Sequence, residues 1–244
     1  MKIRKSIFIL ILVGLLFVCS SKNVDAKEIY FTNNNGVSLT QEEYDFLTEM
    51  YWDGYQNTMT QEEYNVFNNG GYFENKIEEN IIYDYNENSI MGDTHSTANK
   101  TLKITKSCSS NCIMAVTATW INNPTIRSYD VMGVRLSNVS LIGTVTTKAV
   151  TNSGTNYASN TQTFSNGFGA STLLPSGSSV RVYQTFITTM GGKVYASYQH
   201  AMENTTLATS KKYTISSTGY GGVLSFYGSA VGVYDAMNGV DISV

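Results

Sequence analysis

Apolar residues recur along this chain in three rhythms, and each predicts a different kind of element. The first is an unbroken run, Ile7 to Val18, directly behind Lys2, Arg4 and Lys5. The second has helical spacing: Tyr44, Leu47, Tyr51 and Tyr55 fall on one face of a helix. The third begins near Thr101, where Thr, Val, Ile and Tyr fill short runs separated by Gly, Asn and Ser. That is the pattern of successive strands.

The helical part contains an internal repeat. Leu39-Thr40-Gln41-Glu42-Glu43-Tyr44 returns as Met59-Thr60-Gln61-Glu62-Glu63-Tyr64. In each copy the threonine hydroxyl can accept from the N–H three residues on, while the glutamate there reaches back to the threonine N–H, forming a capping box. Leu39 with Tyr44, and Met59 with Tyr64, supply the hydrophobic staple. A helical hairpin is predicted, its second helix ending near Gly70-Gly71. From Glu74 to Asp93, acids alternate with Ile77, Ile81, Ile82, Tyr83 and Tyr85, a pattern that suits a strand, a short helix or an extended connector.

Strands are predicted at 101–107, 112–121, 128–137, 139–150, 179–190, 193–202, 212–217, 222–228, 231–236 and 240–244. Arg181, Tyr183, Thr185 and Ile187 alternate with Val182, Gln184 and Phe186, so the two sets face opposite ways. Asn238-Gly239 is a hairpin signal, and Gly191-Gly192 marks a second turn. The expected fold is mainly β: an antiparallel β-sandwich or jelly roll over residues 99–244, preceded by a small acidic helical region over 27–98.

Charge divides the chain at the same place. Lys27 to Ala98 holds fourteen acids against two lysines, whereas Asn99 to Val244 holds ten Lys and Arg against four acids. Glu42, Glu43, Glu62 and Glu63 lie in first helical turns, where negative charge complements the helix dipole. Glu74 to Asp93 has no such local reason. The acidic region is therefore expected to dock on the basic sheet, as a pro-segment that masks it. No basic tail or arginine cluster points to nucleic acid as a partner.

The opening run reads as a secretory signal: a basic start, an apolar stretch shorter than the roughly 20 residues of a membrane span, and Val24-Asp25-Ala26 as the cleavage site. Cleavage after Ala26 makes the protein extracellular. A lipoprotein anchor on Cys19 is the rival, although Val18 is bulkier than such a site wants. With Cys19 removed, Cys108 and Cys112 are the remaining thiols, and outside the cell they are expected to form a disulfide across the turn Ser109-Ser110-Asn111.

Two motifs carry a resemblance. The Leu-Thr-x-Glu-Glu-Tyr helix pair at 39–47 and 59–67, and the segment from Thr119-Trp120 through Pro124 to Arg127-Ser128-Tyr129-Asp130-Val131, are similar to uncharacterised secreted proteins of Gram-positive bacteria. The resemblance implies export and brings no activity or catalytic residue with it.

Catalytic chemistry finds little support. His95 reads as a solvated connector residue, and His200, alternating with Tyr198 and Met202, as a packed or rim histidine. A Ser–His–Asp set using Asp130 lacks the nucleophile-elbow glycine pattern. Asp130 shares a strand face with Met132, Val134 and Leu136, so an ion pair with Arg127 is expected to neutralise it. A paired-carboxylate hydrolase would have to draw on Asp130, Glu203, Asp235 and Asp241. No cofactor is expected. Calcium is the one ion the acids suit, at Asp84, Glu87 and Asp93 or at Asp235, Asn238 and Asp241, neither group having EF-hand order. The reading is a non-enzymatic extracellular module that binds a protein or glycan through loop aromatics, with Tyr157, Tyr195, Tyr198 and Tyr220 as candidates and Trp120 as an inward residue. The alternative is a β-pore-forming protein, the only reading with a membrane partner, in which the Thr-, Ser- and Asn-rich stretch 144–172 is the stem.

Overall fold

A computed structural model describes residues 28–51, 54–83, 100–217, 222–235 and 239–244. The segment read as a secretory signal, Cys19, the Asp84–Asp93 acids, His95, Tyr220 and Asn238 lie outside the described residues. The chain opens with a ribbon of β1 (Phe31–Thr32) and β2 (Ser38–Leu39), then α1 (Gln41–Met50), α2 (Tyr55–Thr58) and α3 (Gln61–Asn69). There follow β3 (Ile77–Tyr83), β4 (Lys100–Cys108), β5 (Cys112–Trp120), β6 (Tyr129–Ser137) and β7 (Leu141–Thr151). Next come β8 (Gly154–Tyr157), β9 (Asn160–Phe164), β10 (Gly167–Leu173), β11 (Arg181–Thr188) and β12 (Lys193–Gln199). The one-turn helix α4 (Leu207–Ser210) precedes β13 (Tyr213–Ile215), β14 (Leu224–Phe226) and β15 (Val240–Ser243).

Two antiparallel sheets form the expected sandwich. One has the order β3-β4-β5-β11-β7-β8, the other β15-β12-β6-β10-β9. Strand alternation decides what lies between them. Leu102, Ile104, Met114, Val116, Val182 and Phe186 from the first sheet pack against Met132, Val134, Phe168, Ala170, Val194 and Ala196 from the second. Each such large side chain withdrawn from water contributes about 1.5–3 kcal/mol.

Both outer faces are covered as well. The helical region lies on the outside of the six-stranded sheet, where Leu39, Leu47, Met50, Tyr51, Tyr55 and Phe67 join Ile113 and Ala115 in one cluster. The region does dock on the sheet, and the contact is mainly aromatic and aliphatic. Both capping boxes are present: Glu43 N–H donates to Thr40 Oγ1 and Glu63 N–H to Thr60 Oγ1, both at 3.2 Å, and the Glu43 and Glu63 carboxylates accept from Thr40 N–H at 2.9 Å and Thr60 N–H at 2.8 Å. The first helix ends at Met50, earlier than the apolar spacing suggested, and Tyr55 belongs to α2. On the other outer face Tyr213, Ile215, Val223, Leu224 and Tyr234 cover the five-stranded sheet. Two glycines admit this cover: a Cβ at Gly133 would stand 2.6 Å from Leu224, and one at Gly169 2.7 Å from the Tyr213 ring.

Several sequence expectations are revised. Of the three forms allowed for the acidic stretch after Glu74, residues 77–83 take the strand: β3 pairs with β4 at the edge of the six-stranded sheet. Its acids meet cross-strand lysines, Glu78 with Lys106 at 3.4 Å and Glu79 with Lys103 at 3.5 Å. Strands β8, β9 and β10 were not foreseen, because Gly, Ser, Thr and Asn dominate them. Within the expected strand at 231–236, residues 231–233 are turn and Tyr234 makes an isolated bridge with Ala201, while 236 lies outside the described residues. Gly191-Gly192 does turn the chain, but it carries it from one sheet to the other.

Candidate functional site

One end of the sandwich collects the chain's unusual polar groups. There β4 and β11 begin and β5, β7, β10 and β12 end, as the register dictates. Asp130 shares its face with Met132 and Val134, so it points between the sheets and is fully buried. Its partners differ from the expected one. The Tyr198 hydroxyl donates to Asp130 Oδ2, His200 Nδ1 stands 2.9 and 3.0 Å from the two carboxylate oxygens, and Ala201 N–H donates at 3.1 Å. Arg127, in the loop before β6, instead donates to the carbonyls of Pro175 at 2.9 Å and Gly177 at 2.6 Å. The expected Arg127–Asp130 pair is thereby replaced: strand alternation turns the carboxylate inward, while the guanidinium stays with the loops.

A second buried carboxylate completes this cluster. Lys100 Nζ is ion-paired with Asp235, and Asp235 Oδ1 accepts from His200 N–H at 2.8 Å. Trp120 Nε1–H donates to the Tyr198 oxygen at 3.2 Å, and the Trp120 ring stands edge-on to His200 with centroids 4.7 Å apart. Burial, followed by the Asp130 charge, pushes Tyr198 well above its ordinary pKa. Burial also raises Asp235, with the Lys100 charge opposing the shift. The aspartate and histidine of a hydrolytic set thus meet, but His200's hydrogen bonds among the described residues go to these two aspartates, and no serine or cysteine joins them. The cluster ties β4, β5, β6 and β12 together across the core through buried hydrogen bonds.

A cleft of about 440 Å³ opens at the same end of the sandwich, on the outer side of β7, β8 and β11. Its floor follows from strand register. Ala149 and Val182 point into the core, so Lys148, Val150 and Arg181 point outward. Tyr157 lies opposite Lys148 on β8 and is 64 % exposed, with Lys148 Nζ 5.0 Å from its ring. Gly54 and Thr58 of the helical layer form one wall.

The opposite wall is braced from several sides. Thr151 Oγ1 donates to Ser176 O at 2.7 Å, and Asn152 Oδ1 accepts from Ser178 N–H at 2.7 Å. Gly177, at φ +125°, lies so close to this turn that a Cβ would stand 2.5 Å from Asn152 Oδ1. The Arg127 fork holds the same loop from behind. Ser179 is in the left-handed region at φ 58°, a conformation that non-glycine residues adopt only where the surroundings impose it. It lines the cleft two residues before Arg181.

The remaining candidates disperse. Tyr195 lies on the outer face of the other sheet, 4.1 Å from Arg135 and 6.0 Å from Lys193. Tyr198 is in the core, and Trp120 is buried beside it, as its alternation implied. Cys108 and Cys112 are bonded, opposite each other at the β4–β5 turn with Cα atoms 4.1 Å apart. Asp235 and Asp241 are engaged by Lys100 and Lys193 respectively. Among the described residues no three His, Cys, Asp or Glu converge as metal ligands. Sequence reasoning reached Tyr157 but missed Lys148 and Arg181, since only strand register places them beside it. Compared with known families and curated proteins, the chain matches no family model and no curated sequence.

Proposed function

We propose that the protein is an extracellular, non-enzymatic binding module that holds a glycan in the cleft beside Tyr157. The observation that carries this reading is the exposed Tyr157 ring on a braced, concave, hydroxyl- and amide-lined floor. An aromatic face stacks on a sugar ring, and polar side chains around it hydrogen-bond the hydroxyls. Bracing by Arg127 and Gly177 supports the reading, because a preorganised site loses less entropy on binding. Isothermal titration of cellohexaose, chitohexaose and a heparin-derived hexasaccharide tests it. At least one should bind, and Tyr157→Ala should weaken it at least tenfold. Equal binding by the variant, or none by the parent, overturns the proposal.

The pore-forming alternative draws less support from the geometry. Residues 144–172 include β7, paired on both sides, and β10, which is buried along nearly its whole length between β6 and β9. Releasing them would dismantle both sheets. Only 154–164 is peripheral, whereas a spanning hairpin needs two strands of about ten residues each. Liposome leakage is therefore expected to be absent; measurable leakage would revive the stem.

A further inference from the structure

We infer that the cleft beside Tyr157 takes an acidic polysaccharide, a polyhydroxylated chain bearing carboxylate, sulfate or phosphate groups. The inference rests on the binding reading above and adds the charge of the ligand. Its basis is a pair of cations that the fold leaves together. Arg181 is in register with Val150, and Lys148 with Tyr183, so the two cations are diagonal neighbours on one outward face. Such positions lie about 7–8 Å apart or closer, within the screening length of physiological salt, about 8 Å.

Four other lysines of the basic half have acids beside them, Lys100 with Asp235, Lys103 with Glu79, Lys106 with Glu78 and Lys193 with Asp241, and Lys212 bonds the Ser229 hydroxyl at 2.8 Å. Among the described residues no carboxylate pairs with Lys148 or Arg181, and none lines the cleft. Two like charges held side by side repel, and an anion between them removes that repulsion. Arg181 offers a planar fork for an oxyanion, and Lys148 offers a point charge over one face of the Tyr157 ring, 5.0 Å from its centroid.

The rest of the lining selects the kind of chain that carries the anion. Thr58, Asn152, Thr155 and Ser179 present hydroxyls and an amide, and Val150 is the one aliphatic side chain. That surface suits sugar hydroxyls better than an acyl chain or apolar side chains. Helical layer and strand turn together form a groove in which Tyr157 stacks a ring and the cations fix its acidic substituent.

The test is calorimetric titration of the full chain with heparin-derived hexasaccharide, hexagalacturonate, a phosphorylated mannan oligosaccharide and neutral cellohexaose, at low and moderate salt. At least one acidic ligand should bind tenfold or more tighter than cellohexaose, and its affinity should fall as salt rises. Lys148→Gln and Arg181→Gln should each lose roughly tenfold for that ligand, as expected for one charged hydrogen bond, with unchanged melting temperature because both side chains are half-exposed. Cellohexaose binding as tightly as the acidic chains, with Tyr157→Ala still impaired, overturns the charge inference and leaves the cleft standing. Acidic ligands that bind the two glutamine variants normally overturn the assignment to this site. Absence of all binding overturns both.

Discussion

Asp130, Asp235, Lys100 and His200 place four ionisable side chains inside one end of a mainly apolar sandwich. Burying such groups is tolerated because each charge has a partner, so the pair matters less than its completeness. Lys100→Met should cost about 3–5 kcal/mol, since it leaves Asp235 buried and uncompensated. Lys100→Met with Asp235→Asn removes both charges, keeps an acceptor for the His200 N–H, and should recover most of that loss; urea unfolding measures both. Equal losses in single and double variants would show that packing, rather than charge, is the source. Buried tyrosines add a pH dependence. Tyr51, Tyr55, Tyr183 and Tyr198 are all raised above the ordinary value near 10, with burial the largest cause. A folded pKa above the unfolded one gives stability that is fully present below about pH 10 and lost as pH climbs beyond it. Absorbance titration at 295 nm should therefore show these phenols ionising only together with alkaline unfolding. Of this cluster, the burial of Asp130 was legible from its alternation with Met132 and Val134. Its partners were not, since Tyr198 and His200 lie far along the chain and only strand pairing brings them near.

The two helix starts look identical in sequence and differ in their surroundings. Glu43 is buried and accepts from the Tyr64 hydroxyl at 3.1 Å, whereas Glu63 is half-exposed. Glu43→Ala should therefore destabilise more than Glu63→Ala, by about 1–3 kcal/mol beyond the usual loss of about 1 kcal/mol at a cap; thermal melts of the two variants decide it. At the β4–β5 hairpin the disulfide closes a very short loop. Its reduction should cost no more than about 2 kcal/mol in the chain-entropy description, less than the loss of Lys100, as denaturation with and without reductant would show. Strands rich in Val, Ile and Thr were recognisable because alternation survives in them. Strand β10 was not, because Gly169 and its small neighbours carry no periodic apolar signal. What makes Gly169 belong in a strand is the Tyr213 ring lying over it.

In the whole molecule, a two-sheet core is enclosed by helices on one side and by the β13–β14 region on the other. The acidic front is consequently more than a removable mask. It supplies an edge strand and the apolar cover over Ile113 and Ala115, and Thr105 Oγ1 of β4 donates to Met50 O at 2.7 Å. Expressed without residues 28–83, the remainder should expose that apolar face, bind a hydrophobic dye and aggregate. A monomeric, well-folded remainder with raised affinity for acidic surfaces would restore the pro-segment idea. Helical layer and sheet also build the cleft jointly through Gly54 and Thr58, so losing the cover should also abolish ligand binding.

Local chemistry alone decided the helix starts, the disulfide turn, most of the strands and the mainly β class, because caps, hairpins and alternation depend on residues close in sequence. Tertiary structure decided the partner of Asp130, the strand character of glycine-rich β10 and the meeting of Lys148, Arg181 and Tyr157. Each of these depends on which strands lie side by side and in what register. Register is set by the burial of whole faces, a property that no short stretch of sequence contains.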